Sequence, residues 1–270
     1  MFKYGIAKYG VVPIKSKPDM KSELADEILF GMTVKLLEEK DNGWYYIETS
    51  YNYNGYINES DLYLYGKEGL EWDGQADQVI NWKVVDVLKE PKYQSYSIKQ
   101  LTKGSIVKLS GKETEDWQEI IFPDGEKGWI RKEWITYRIR NGKNIDEETF
   151  RKNVVDTALS YLGTQYRWGG KSPLGIDCSG LCSISYFING IIIYRDAEIK
   201  EGYNVRRISI EDIKPGDLIY YPGHITMYIG EGKYVHSTGS SGGVVINSLN
   251  PEDEDYREDL ADIKEVGSIF

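Results

Sequence analysis

The chain is poor in the residues that build covalent and metal frameworks: among its 270 residues are two cysteines, Cys178 and Cys182, and two histidines, His224 and His236. Two thiols one turn apart on a predicted helix cannot form a disulfide framework. The spacing of the four residues matches no common structural zinc pattern, so no metal and no cofactor is expected. No run approaches the ~20 consecutive apolar residues of a membrane helix. Positive charge is also short. With 33 Lys and Arg against 43 Asp and Glu, the net charge is -10, which repels phosphate backbones and anionic lipid. Nucleic acid and membrane are therefore excluded as main partners, whereas cationic or zwitterionic ligands remain open. The opening Met1-Phe2-Lys3-Tyr4-Gly5 lacks the basic, apolar and small-residue regions of a secretory signal, so a cytoplasmic location is expected. A secreted, wall-bound protein is the alternative if a leader has been removed.

What the chain does have is aromatic residues (13%, with 22 Tyr) and 28 Gly, which favour short half-buried strands and tight turns. Laid against itself at an offset of 73, the sequence repeats without a gap from Val11 to about Ile135. Val11-Val12 matches Val84-Val85, Gly31 matches Gly104, Trp44 matches Trp117, and Gly55-Tyr56-Ile57 matches Gly128-Trp129-Ile130. Each copy reads as a small all-β barrel of about five strands, with Trp44 and Trp117 expected in thin cores. Asn54-Gly55-Tyr56-Ile57 and Lys127-Gly128-Trp129-Ile130 resemble the Gly-aromatic-Ile strand of bacterial SH3-type domains. The resemblance leaves two roles open, recognition of wall peptide and a structural wall for the third domain. Polar or Gly-containing joints are read at 65–78 and 137–145.

Beyond the second joint the apolar period lengthens from two towards four. Phe150, Val154, Ala158 and Leu162 lie four apart, acidic residues precede and Gly163 follows, which predicts an amphipathic helix explained by apolar packing alone. A Gly-rich loop from Tyr166 to Gly175 then feeds a second helix running to about Asn189. Cys178 falls in its first turn, where unpaired N–H groups and the positive dipole end favour the nucleophilic thiolate. Cys182 falls among Leu181, Ile184 and Ile188 and reads as packing. A cysteine nucleophile needs a base for its proton and an acid for the leaving amine, and one imidazole can serve as both. His224 and His236 sit on two alternating runs joined by Gly230-Glu231-Gly232, and a hairpin brings both rings to one face. That arrangement suits Cys178 as nucleophile, His224 as base and His236 as the group that orients it. The alternative is two unrelated polar strand positions.

Five segments, in order, complete the pattern: Tyr166-Arg167-Trp168-Gly169-Gly170, Asp177-Cys178-Ser179-Gly180, Lys214-Pro215-Gly216-Asp217-Leu218, Gly223-His224-Ile225-Thr226-Met227-Tyr228-Ile229-Gly230 and Tyr234-Val235-His236. Through them the C-terminal part resembles the NlpC/p60 family of papain-like cysteine peptidases. The expected architecture is multidomain: two small all-β SH3-like barrels, 1–65 and 79–137, followed by an α+β papain-like domain, 146–270. The resemblance implies Cys178, His224 and His236 as catalytic residues. Two SH3-type barrels ahead of such a domain are similar to γ-D-glutamyl-L-diamino acid endopeptidases. That implies cleavage of L-Ala-γ-D-Glu-diamino acid peptides, the diamino acid being meso-diaminopimelate or L-lysine, with a free N-terminal L-alanine, in recycling of wall peptides. By the same resemblance Tyr166 lines the reaction centre and helps the Cys178 N–H stabilise an oxyanion. Asp196, in Arg195-Asp196, is implied to hold the alanine ammonium, and Asp177 and Ser179 to contact substrate. Ala197 and Lys200 stand where many relatives carry a hydroxyl residue and a glutamine. The first barrel is expected to supply acidic and aromatic residues to the amine end, Glu48 being one candidate.

Two other functions remain open: a secreted wall hydrolase anchored by its SH3-type domains, and a non-catalytic peptidoglycan-binding protein. The triad alone also allows a papain-like acyltransferase or amidase, since an amine can replace water in resolving an acyl-enzyme. The acidic run Pro251-Glu252-Asp253-Glu254-Asp255 reads as a solvated turn before a last strand near 263–270.

Overall fold

The computed structural model describes residues 2–270. The chain forms two compact units, the first ending at Arg138 and the second running from Ile139 to Phe270.

In the first unit the period-two pattern places alternate residues inside. On the strand Val11–Lys15, for example, Val12 and Ile14 are buried and their neighbours half-buried. Each half is an antiparallel sheet of seven strands, and with strands counted separately within each half both run in the order 3-2-6-5-4-1-7. The repeat is thus a repeat of topology. Two more strands than expected occur in each half because the first and last strands are short and pair with each other. Tyr4–Ala7 lies against Leu62–Tyr65, with Ile6 opposite Tyr63, a non-local contact that local alternation does not signal.

The halves are not independent modules. Phe30 of the first half belongs to the core of the second, with Ile80, Val85, Leu101, Val107, Ile120 and Phe122, and its ring meets Phe122 edge-on at 5.5 Å. The Ile106 N–H donates to the Phe30 carbonyl at 2.8 Å. Gly31, with φ 79°, makes room for this contact, since a Cβ there would lie 2.0 Å from the Ile106 carbonyl oxygen. The joint read as polar linker contains a helix, Glu68–Gln75, anchored by buried Trp72, whose Nε1–H donates to the Gly31 carbonyl at 2.9 Å. Trp44 and Trp117 are buried, although Trp117 packs beside Tyr93 and Arg131 rather than in the aliphatic centre. Glu48 is half-buried opposite Lys35 and Asn54. The fully buried carboxylates of this unit are instead Asp26 and Glu27, and the Tyr51 hydroxyl donates to Asp26 at 2.5 Å.

The second unit is α+β. Its first helix, Glu147–Leu159, is capped by Asp146, which accepts the Thr149 N–H. Phe150, Val154 and Ala158 are buried as the pattern predicts, but the helix stops before Leu162, which is exposed. Apolar packing is not the whole account of this helix. Arg151 crosses to the sheet, donating to Asp217 Oδ1 at 2.8 Å, the Pro215 carbonyl at 2.9 Å and Ser268 Oγ at 3.3 Å. The antiparallel sheet has six strands in the spatial order Arg206–Ile208, Glu265–Ser268, Leu218–Tyr221, His224–Gly230, Lys233–Thr238 and Gly243–Ser248. The helix Cys178–Ile188 packs on the strands His224–Gly230 and Lys233–Thr238.

Candidate active site

Cys178 is the first residue of its helix, with Asp177 as N-cap. The Asp177 carboxylate accepts the N–H groups of Gly180 (2.5 Å) and Gly169 (2.8 Å) and both Arg195 terminal nitrogens at 3.1 Å. Arg195 also donates to Ser179 Oγ at 2.7 Å. Loop, helix start and the Arg195-Asp196 segment therefore meet in one buried ion pair. Gly180 permits this closeness, because a Cβ there would sit 2.1 Å from the Gly170 carbonyl oxygen. The Ser237 hydroxyl, bonded to the Ile176 carbonyl at 2.7 Å, ties the sheet to the chain just ahead of Cys178.

Asp177 and Ser179, read as substrate contacts, are buried and bonded to Arg195, to each other and, for Asp177, to the loop. They hold the site together from behind. Arg195 was not singled out by sequence reasoning, although its place beside Asp196 was visible. A buried arginine needs a carboxylate, and Asp177 supplies it.

The two histidines meet. The register Met227 opposite Val235 sets His236 opposite Thr226, one diagonal step from His224 on the same face. His224 Nε2 lies 2.7 Å from His236 Nδ1. The next strand continues the diagonal: His236 pairs with Val245, and His236 Nε2 lies 2.9 Å from Asn247 Oδ1. The Asn247 Nδ2 donates to the Asp255 carbonyl at 2.6 Å. The acidic run read as a solvated turn is tied down here, with Lys233 Nζ bonded to Asp253 at 2.9 Å and Asp255 at 2.8 Å. Asn247 was missed because a lone Asn on a polar strand carries no signal of its own.

The electrostatics differ from the expected resting thiolate. Burial pushes the Cys178 thiol up to about 11, and the neighbouring Asp177 charge adds to this. The N–H groups of Ile225 and Ser179 and the Arg195 charge act in the opposite sense without overcoming it. Burial, reinforced by His236 and Arg257, lowers His224 to about 4, and burial lowers His236 to about 4. These directions favour a thiol at Cys178 and neutral imidazoles at His224 and His236 near neutral pH. The lowering effect of the Ile225 N–H sets Cys178 near the end of the strand that begins with His224. Tyr166 stands close enough for the Cys178 and Asp177 charges to act on it, and burial is the main reason its hydroxyl is pushed up to about 12 and stays a neutral donor. Asp196 is half-buried directly after Arg195. Cys182 is fully buried, as packing predicts.

Comparison with known proteins gives this geometry a family. The NlpC/P60 family profile matches residues 163–258. The "Bacterial dipeptidyl-peptidase Sh3 domain" profile matches 15–62, and the "Bacterial SH3 domain" profile matches 83–136. The chain is 44% identical over 259 residues to dipeptidyl-peptidase 6 of Lysinibacillus sphaericus, covering 94% of this chain and 95% of that protein. It is 32% identical over 139 residues to the γ-D-glutamyl-L-lysine dipeptidyl-peptidase of Bacillus cereus, covering 48% of this chain and 41% of that one. The crystal structure of an NlpC/P60 family protein from Bacillus cereus superposes with a TM-score of 0.82 at 20% identity, covering 97% of this chain and 98% of that one, which establishes the shared fold. With its nearly full-length likeness to a dipeptidyl-peptidase and two bacterial SH3 domains ahead of the α+β unit, the chain belongs to the NlpC/P60 family of peptidases.

Proposed function

We propose that the protein hydrolyses the amide between the γ-carboxyl of D-glutamate and the amine of a diamino acid, in peptidoglycan stem peptides with a free N-terminal L-alanine. Cys178 is the nucleophile, His224 the base and acid, and His236 the group that orients His224. The observation that supports this reading is a helix-start cysteine whose pKa the N–H of Ile225 acts to lower, one residue from His224, whose Nε2 lies 2.7 Å from His236 Nδ1. The names of two relatives, dipeptidyl-peptidase 6 and γ-D-glutamyl-L-lysine dipeptidyl-peptidase, support the substrate class.

Because the resting thiol is protonated, its proton passes to His224 as sulfur attacks the γ-carbonyl. The carbonyl oxygen becomes an oxyanion, with the Cys178 N–H and the Tyr166 hydroxyl as donors. His224 returns the proton to the leaving amine, the C–N bond breaks, and a thioester remains. Water, deprotonated by His224, releases the γ-glutamyl acid and restores the thiol. Asp196, carried next to the Arg195 anchor, pairs with the alanine ammonium. A requirement for that ammonium restricts the enzyme to peptides already freed from glycan, which suits recycling of wall peptides.

The test is mass spectrometry of L-Ala-γ-D-Glu-meso-diaminopimelate and its L-lysine counterpart after incubation with the enzyme. Release of the diamino acid is expected, with none from Cys178→Ala or from N-acetylated peptide. Turnover by Cys178→Ala would overturn the mechanism, and equal cleavage of acetylated peptide would overturn the role of the free amine.

A further inference from the structure

A histidine is an ambiguous partner for another histidine. An aspartate or asparagine oxygen in the orienting position can only accept, so it fixes the base's proton on the nitrogen that faces it. His236 Nδ1 can either accept from His224 Nε2 or donate to it, and the 2.7 Å contact is compatible with both. If His236 donates, His224 carries its own proton on Nδ1 and has no lone pair there for the Cys178 thiol. Something beyond the pair must choose.

We propose that Asn247 makes this choice as a positioning residue, setting the tautomer of both imidazoles from the far end of the diagonal. The inference rests on the reading of His224 as base. It starts at a group with one possible role, the Asp255 carbonyl, which can only accept. It accepts from Asn247 Nδ2 at 2.6 Å, so the amide cannot be turned round, and Oδ1 faces His236 Nε2 at 2.9 Å. That oxygen is an acceptor, so His236 carries its proton on Nε2, and its Nδ1 is a lone pair. His224 then donates from Nε2, and His224 Nδ1 is left as the lone pair that takes the thiol proton.

The polarity holds through the reaction. In the imidazolium, His224 still donates from Nε2 to His236 Nδ1, and no proton moves to His236 or Asn247. The prop behind Asn247 is built for the purpose: Lys233 holds the side chains of Asp253 and Asp255, and the Ser248 hydroxyl bonds to Asp253 at 2.6 Å. The other titratable groups facing the pair are the Arg257–Asp259 ion pair, Tyr221 and Tyr234. Among the described residues it is Asn247, through Oδ1, that hydrogen-bonds His236 Nε2.

With two histidines in the chain, selective ¹⁵N-histidine labelling and two-bond ¹H–¹⁵N NMR read both rings directly, and His236→Gln assigns them. At pH 7 the wild type is expected to show both rings protonated on Nε2. A His236 proton on Nδ1 would overturn the proposal with no variant needed. In Asn247→Leu the His236 preference should be lost. In Asn247→Asp, a carboxylate beside Nε2 retains a second proton on His236, which donates from Nδ1 and drives His224 to the Nδ1–H form. Turnover of the tripeptide at pH 7 should fall at least tenfold in both variants. The limit is the ~10⁴-fold known for a triad histidine left in the wrong tautomer. Wild-type tautomers in both variants would overturn the proposal. The NMR result does not depend on turnover, so it judges Asn247 even if Cys178→Ala remains active and the peptidase mechanism fails.

Discussion

Removing Arg195 tests whether the buried ion pair behind the helix start holds the second unit together. Arg195 is 2% exposed and makes two bonds of 3.1 Å to Asp177, one of 2.7 Å to Ser179 and one of 3.5 Å to the Gly170 carbonyl. In Arg195→Met the Asp177 charge stays buried without its cation, facing the Gly169 and Gly180 N–H groups and the Ser179 hydroxyl. Stranding a buried charge in this way costs about 3–5 kcal/mol. Cys182 provides the assay. In a Cys178→Ser background it is the remaining thiol and is fully buried, so a thiol reagent labels it only when the second unit opens. At about 1.4 kcal/mol per tenfold, labelling should speed up by roughly two to three and a half orders of magnitude. Adding Asp177→Asn removes the stranded charge and should recover at least ~1 kcal/mol of that loss. A rise below tenfold in Arg195→Met, or a double variant less stable than the single one, would refute the argument.

Three further outcomes are expected. Both imidazoles titrate near 4 in the folded protein against ~6.5 when unfolded, so the unfolded chain binds protons that the native one does not. The stability they contribute is complete above ~6.5 and is lost as pH falls to about 4; urea midpoints should drop across that window and flatten in His224→Gln/His236→Gln, and an unchanged slope would contradict the assignment. Gly31→Ala, with a Cβ 2.0 Å from the Ile106 carbonyl oxygen at φ 79°, should destabilise the first unit by more than ~2 kcal/mol, seen as an earlier tryptophan fluorescence transition; wild-type melting would show that the halves can part freely. Tyr166→Phe should lower kcat by ~10²-fold or more with little change in KM if its hydroxyl meets the oxyanion, and a change in KM alone would place it on ground-state binding.

Much of the molecule was legible because its signals are local or repetitive. Matched glycines, tryptophans and Gly-aromatic-Ile strands announced two copies of one β-topology, and the scarcity of Cys and His reduced the search for a nucleophile and base to four residues. The hairpin argument placed His224 and His236 together correctly, because a tight Gly turn and period-two alternation fix which residues share a face. Other features were hidden for definite reasons. The Glu68–Gln75 helix lacks a periodic apolar face and depends on the reach of Trp72 to Gly31. The fusion of the barrels depends on Phe30 entering a core 50 and more residues away in the chain.

Residue identity and order were enough to establish the repeat, the helix that begins at Cys178 and the histidine hairpin, since each follows from near-neighbour sterics and hydrophobic periodicity. Charge state and proton placement were beyond their reach. A helix terminus argues for a thiolate at Cys178, yet the density of buried neighbours makes desolvation the larger effect. Nothing in the sequence pairs Asp177 with Arg195, 18 residues on, which the fold brings to its carboxylate. Asn247 and the Asp255 carbonyl acquire meaning only where three strands and a loop converge. Desolvation and hydrogen-bond polarity are properties of what surrounds a group, and those surroundings exist only in the folded chain.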